Sequence, residues 1–385
     1  MNSRFHVQIT SRSPLAKAVP IASIGPDASF LLPFRRSMNA SSSSDRRIGL
    51  SLTLALLLMV VVGSLAEGVL RWAFDGGRLP AGIVGTGNLS FDVTFHQAER
   101  FVVERGRPQI LCLGSSMMKN AVDPETIERV SREVSGRSVS CFNFGVAGGD
   151  PVLSEQTLAA VQSELRPELI LVEAIAPELH RPGVINLISK DIPQSPWYRY
   201  RSGEPVLDGF LIDRLLLHRY FLRFRLYLED PKNFRRLAKQ ESRMRYDGFD
   251  TRNTPEGPES IERRTSSEAE SGIIGDASVH LSALGRILAR SDRVVVVEPP
   301  LDAGLRRSHS GGESGYLDAL ARIRELAERH GTRFVQATGR FEAPEDGWLN
   351  ANHLNLVGSA AYSGWLVRQL AEAQLLGDRR AGVTQ

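Results

Sequence analysis

The chain is poor in the residues that announce a metal or redox centre. Cys112 and Cys141 are its only cysteines among 385 residues. They form no Cys-x-x-Cys pair, and no His-Glu-x-x-His is present, so no familiar metal-ligand spacing exists. No Gly-Lys-Ser/Thr loop is present either, and the glycines after Asn143 do not follow dinucleotide-binding spacing. No cofactor and no metal are therefore expected. A basic excess is also missing from most of the chain, despite a pI near 9. Residues 1–47 carry seven Lys/Arg against Asp27 and Asp45, a charge of +5; the whole chain is +3, so the remainder carries −2. The basic balance belongs to the N-terminal tail, and a nucleic-acid partner is not expected.

Long apolar runs are scarce, and the one present is informative. Ile48 to Ala66 contains no charged residue and continues with Val69, Leu70 and Trp72. About 20 apolar residues cross a bilayer, so 48–72 reads as a transmembrane signal anchor. Arg46 and Arg47 precede it, which predicts a cytoplasmic N-terminus and an extracytoplasmic main domain. Ser64-Leu65-Ala66 resembles a signal-peptidase site, so a cleaved signal is the alternative. Residues 1–47 read as a disordered cytoplasmic tail, with Met38 the expected natural start.

After the span, 73–108 reads as a polar connector and 109–376 as the main domain, with a short tail over 377–385. Apolar runs at 109–113, 139–144, 168–172, 293–297 and 333–337 predict five strands. Helical patterns lie between them at 124–134, 154–164 and 316–330, and a last helix at 356–374 closes the domain. Continuous apolar strands alternating with helices predict a parallel sheet covered on both faces, with ligands at the carboxyl ends of its strands. Cys112 and Cys141 fall in two of these strands and read as small buried core residues; a disulfide between neighbouring strands is the alternative. Residues 180–275 break the alternation as an insertion. Within it, 211–244 is helical, and 199–247 holds twelve Lys/Arg against seven Asp/Glu. The insertion reads as a helical lid with a solvated basic face, or as a face for anionic lipid or polymer. Residues 251–275 read as a mobile loop.

Two distant stretches carry candidate chemistry. Ile110-Leu111-Cys112-Leu113-Gly114-Ser115-Ser116 is an apolar run ending in a turn with Ser116, and Asn350-Ala351-Asn352-His353-Leu354-Asn355 places His353 near the C-terminus. A serine is a poor nucleophile without an adjacent base, and a histidine titrates where such a base must.

These stretches, with Asn143-Phe144-Gly145-Val146-Ala147-Gly148-Gly149-Asp150 between them, resemble the motif blocks of the SGNH, or GDSL-type, hydrolase superfamily of esterases and acyltransferases. The serine at the middle position of Gly114-Ser115-Ser116 is similar to membrane-anchored members. The resemblance covers about 109–178 and 290–372. It implies a three-layer α/β/α flavodoxin-like fold, here with a helical insertion and one N-terminal transmembrane helix. It further implies Ser116 as nucleophile, His353 as base, and the backbone N–H groups of Ser116 and Gly148 as oxyanion donors. Two departures stand out. The block that supplies an asparagine oxyanion donor falls near Ile175-Ala176-Pro177-Glu178, which has none. The acidic residue that orients the histidine is Asn350, with Asp346, Glu173 and Asp150 as possible substitutes. The expected function is an extracytoplasmic O-acyl esterase or acyltransferase acting on cell-envelope glycan or lipid. The alternative is a catalytically degenerate protein of that fold serving envelope assembly or polymer binding.

Overall fold

The computed structural model describes residues 43–174, 187–251 and 278–376, apart from 292, 308 and 310. The chain divides into two units, residues 1–58 and 59–385. Helix α1 (Ser43–Asp75) begins in the first and ends in the second. Its Ile48–Asp75 stretch is long and apolar enough to cross a membrane, and none of its most apolar window is buried by protein. The helix runs three residues past the expected end of the span at Trp72.

The second unit is built on five parallel strands: β1 (Ile110–Gly114), β2 (Cys141–Gly145), β3 (Leu169–Glu173), β4 (Val294–Val297) and β5 (Arg333–Val335). Their order is β2-β1-β3-β4-β5. The chain leaves β1 toward β2 and returns to β1's other side as β3. The strand order therefore reverses at β1, and open α/β sheets of this order bind ligands outside the carboxyl ends at that crevice.

Side chains alternate between the two faces of each strand. Leu111, Leu113, Phe142, Phe144, Ile170, Val172, Val294 and Val296 share one core. It is filled by helices α2 (Leu89–Arg105), α5 (Pro151–Leu165), α11 (Ser278–Arg290), α12 (Ala303–Arg307) and α13 (Gly312–Arg329). Ile110, Cys112, Cys141, Leu169, Leu171, Val295 and Val297 share the other, under α4 (Pro124–Ser135) and α14 (Leu356–Glu372). Cys112 and Cys141 are free buried thiols with their sulfurs 3.7 Å apart, so the structure has the core residues and not the disulfide.

Helix α2 lies inside the stretch read as a connector, and that reading is corrected. Phe91, Phe95, Ala98 and Phe101 recur at helical spacing and are fully or nearly fully buried, and Asn88 caps the helix through Ser90 N–H and Phe91 N–H. Burying each phenylalanine contributes about 1.5–3 kcal/mol, so this segment is part of the core.

The described part of the insertion forms α6 (Leu187–Gln194), α7 (Pro196–Arg201), α8 (Leu207–Arg214), α9 (Leu216–Glu229) and α10 (Pro231–Glu241). The single helical stretch expected over 211–244 is thus broken at Leu215 and Asp230. Several of its arginines point inward, while Lys232, Arg235, Arg236 and Lys239 of α10 keep the expected exposed basic face. Arg219 pairs with Glu99, Arg223 with Glu241, and Arg201 with Asp213 and Glu164. The loop after α10 covers the exposed edge of β2, where Asn143 N–H donates to Asp247 O at 2.9 Å. The loop expected at 251–275 lies, apart from Thr251, outside the described residues.

Short helix α3 (Ser116–Ala121) crosses the ends of β1 and β2 so closely that Gly145 is needed beneath it. A Cβ there would stand 2.7 Å from Lys119 N and 2.8 Å from its Cα. Both obstacles are backbone, which cannot swing aside. Gly145→Ala is expected to destabilise the domain by about 1–3 kcal/mol, the usual cost of overpacking. A urea denaturation series should show the lower midpoint; an unchanged midpoint would contradict the close approach.

Candidate active site

Ser116 is the first residue of α3, immediately after the β1 turn. A buried carboxylate shapes that turn. Glu173, at the end of β3, accepts from Ser115 N–H at 2.8 Å, Ser115 Oγ at 2.7 Å and Met118 N–H at 2.9 Å. Ser115 Oγ in turn accepts from Met117 N–H at 3.0 Å and caps α3. Burial pushes the Glu173 carboxyl up from its ordinary pKa, against the downward pull of these three bonds. Gly114 is dictated by the same contact, since a Cβ there would collide with the Glu173 side chain.

The far end of α3 is held by Asn143. Its amide donates to Val122 O at 2.7 Å, just past the helix end, and to Met118 O at 2.9 Å, which also accepts from Val122 N–H. Its Oδ1 accepts from Gly145 N–H at 3.0 Å. The loop after β2, with Gly148 at φ +73°, is tied to the end of β1 by Val146 N–H donating to Gly114 O at 2.9 Å. Ser90 of α2 supports it by accepting from Ala147 N–H at 3.1 Å.

His353 comes from a small hairpin, β6 (Trp348–Asn350) and β7 (His353–Leu354), in which Asn350 pairs with His353. A two-residue turn therefore sets the Asn-x-x-His spacing side by side. Asn355 locks the hairpin to α14: its Oδ1 accepts from Val357 N–H and Gly358 N–H, and its Nδ2 donates to Asp346 O at 2.6 Å.

These elements place His353 Nε2 2.8 Å from Ser116 Oγ and His353 Nδ1 2.9 Å from Asn350 Oδ1. The orientation of the amide fixes the tautomer. Asn352 N–H donates to the same Asn350 atom at 3.2 Å, so that atom is the oxygen. An oxygen facing Nδ1 requires the proton to be on Nδ1. Nε2 then carries the lone pair and accepts from the Ser116 hydroxyl, the arrangement in which an imidazole can take up a serine proton. His353 and Asn350 are buried and Ser116 is half-buried. Among the described residues the buried Asn350 Nδ2 has no hydrogen-bond partner, a cost of about 1–3 kcal/mol.

The other acidic candidates are placed elsewhere. Asp346 is exposed in the 3₁₀ turn Glu345–Gly347, with its backbone oxygen taken by Asn355. Glu173 is engaged by the Ser115 turn, and Asp150 caps α5 through Leu153 N–H at 2.7 Å. The acceptor at Nδ1 is Asn350, so the reading of Asp346 as a substitute is corrected. The segment Ile175–Glu178 lies outside the described residues. Among the described residues, no group of three or more His, Cys, Asp or Glu side chains is placed to hold a metal. The local pattern did not single out Glu173 as the grip on the serine turn, or Ser90 as a support. The available signal for Glu173 was an acid at the carboxyl end of an otherwise apolar strand.

No protein-family model matches the chain. No curated protein matches it either. Among solved structures it is similar to a lipase/acylhydrolase from Enterococcus faecalis, at 12% identity over 69% of this chain and 96% of that one, with a TM-score of 0.34. At that TM-score the likeness adds nothing to the site, whose reading rests on its own geometry.

The tautomer is directly measurable. Nitrogen-15 NMR should report that the neutral form of the His353 ring is protonated on Nδ1. A ring protonated on Nε2 would mean that Asn350 presents its amide nitrogen.

Proposed function

We propose that this protein is an SGNH-type O-acyl esterase or acyltransferase, anchored in the membrane by α1, with its main domain outside the cytoplasm. Its substrate would be an acylated glycan or lipid of the cell envelope. The observation that carries the reading is the Ser116–His353–Asn350 hydrogen-bonded chain at the carboxyl end of β1, beside the point where the strand order reverses.

In this mechanism His353 Nε2 takes the Ser116 proton as Oγ attacks the ester carbonyl. The tetrahedral intermediate places negative charge on the former carbonyl oxygen, for which the backbone N–H groups of Ser116 and Gly148 are the proposed donors; losing one such donor typically costs about 10²–10³ in rate. The imidazolium then gives its proton to the departing alkoxide. The acyl-Ser116 ester is released to water in hydrolysis, or to an acceptor hydroxyl in transfer. Asn350 holds the ring in the useful tautomer, but a neutral amide stabilises the imidazolium less than a carboxylate does. That weakness is what favours the second reading, a slow or degenerate site retained for binding.

A serine-directed fluorophosphonate separates the two. The full-length protein should be labelled, and Ser116→Ala should not. An unlabelled wild-type protein would sink the enzyme reading and leave the binding protein.

Asn350→Asp supplies the missing charge in a position already within hydrogen-bond reach of Nδ1. Turnover of a simple acetyl ester should rise by at least about tenfold, with about 10⁴ as the upper bound set by the reverse change in a serine protease. Asp346→Asn should change turnover little. Loss of turnover in Asp346→Asn would mean that Asp346 holds the histidine after all.

A further inference from the structure

Helix α9 is amphipathic in the wrong direction for a surface helix in water. Two of its three arginines face in: Arg219 is 3% exposed, and donates to Ile212 O at 2.6 Å and Asp213 O at 2.8 Å besides pairing with Glu99. Arg223 pairs with Glu241 at 2.8 Å. Several of its large apolar side chains face out, beside an exposed ion pair of Arg225 with Glu229 at 3.0 Å. Leu217, Phe221, Phe224 and Leu228 recur at intervals of four, three and four residues, one stripe of the helix; Phe221 is 55% exposed, Phe224 57% and Leu228 60%. Tyr227 on α9, and Leu207 and Phe210 on α8, are exposed as well. An exposed apolar surface of this kind, crossed by a single ion pair, marks an interaction site on a folded domain.

The position of the stripe identifies its occupant. Glu67 and Arg71 are the first charged residues after the uncharged run of α1. Glu67 accepts from Leu216 N–H at 3.1 Å and Leu217 N–H at 2.8 Å, and Arg71 donates to Arg214 O. The start of α9 is therefore fastened to α1 within a turn of the end of its apolar run. Trp72, exposed on α1 beneath the Arg78 guanidinium, is at the same level, and tryptophan favours the membrane–water boundary. Lys232, Arg235, Arg236 and Lys239 on the following helix α10 are exposed, which suits anionic headgroups.

We propose that the outward face of α8 and α9 lies in the headgroup and upper acyl layer of the same bilayer that α1 enters, seating the domain on the membrane surface. The ion pairs beneath it replace the water-facing polar side of an ordinary interfacial helix, so the arginines hold the helix to the domain while the aromatics enter lipid. The proposal rests on the reading of α1 as a membrane anchor, and is independent of catalysis at Ser116.

The test uses the full chain in vesicles of phosphatidylcholine and phosphatidylglycerol. Nitroxide labels go on Phe221→Cys and Phe224→Cys, with Leu57→Cys as the span control and Glu328→Cys as the aqueous control; both native cysteines are buried. Labels at 221 and 224 should lose accessibility to an aqueous nickel chelate and gain accessibility to oxygen, relative to 328. Labels at 221 and 224 as aqueous as 328, with 57 in the acyl region, would overturn the seated face alone. An aqueous label at 57 would overturn the anchor and the face together. Shielding accompanied by spin–spin broadening between molecules would assign the face to a second copy of the chain, and would also overturn it.

Discussion

The candidate site depends on one buried carboxylate. Glu173 ends β3, and with three acceptor contacts it fixes the backbone of Ser115 and Met118 and the hydroxyl of Ser115. Since β3 and β1 are neighbours in the sheet, the register of the sheet sets where the serine turn stands. Removing the carboxylate would leave two buried N–H groups without acceptors, each costing about 1–3 kcal/mol. It would also free the turn on which Ser116 sits. Gly114, Gly145 and Asn143 follow from this constraint: two glycines admit the close crossing of α3, and the asparagine closes its far end.

The histidine is controlled from the opposite side by a neutral group. Asn350 Oδ1 accepts from Asn352 N–H and from His353 Nδ1, and the first of these contacts determines the second. An aspartate at this place would hold the same tautomer and add charge. The amide holds the tautomer alone and leaves its own Nδ2 buried with no partner among the described residues. Orientation and charge stabilisation, which a carboxylate supplies together, are separated here. Geometry survives while the electrostatic contribution to any imidazolium is reduced.

The sheet was legible in the sequence because β1 to β4 are buried on both faces and read as continuous apolar runs, displaced by only one or two residues at their ends, while the edge strand β5, with Arg333 exposed, is two residues shorter than its expected run. Helix α2 was not read, although Phe91, Phe95, Ala98 and Phe101 keep helical spacing, because Asp92, His96 and Gln97 between them suggested a polar connector. Those three are buried too, an outcome set by tertiary contacts: Asp92 accepts from Thr86 Oγ1 at 2.6 Å and from Gly85 N–H at 3.2 Å. The hairpin carrying Asn350 and His353 has strands of three and two residues, too short for any local pattern to show. Ser116 and His353 are 237 residues apart, and no periodicity links residues so distant. Their juxtaposition was expected only because the blocks around them resemble those of one hydrolase superfamily.

Charge counting described the insertion only in part, for a physical reason. Twelve Lys/Arg against seven Asp/Glu over 199–247 suggested a solvated cationic face. Formal charge carries no direction, however, and the helices could present either side. Acids outside the insertion decide the matter: Glu99 on α2 and Glu164 on α5 draw Arg219 and Arg201 inward. Arg219, whose side chain is 4% exposed, and its partner Glu99, at 15%, have both given up most of their water. Such a pair is weak evidence for stability, because desolvation offsets much of the attraction. What it does supply is orientation. With Arg219 of α9 committed to α2 and Arg223 to α10, Phe221 and Phe224 on the other side of the helix face out.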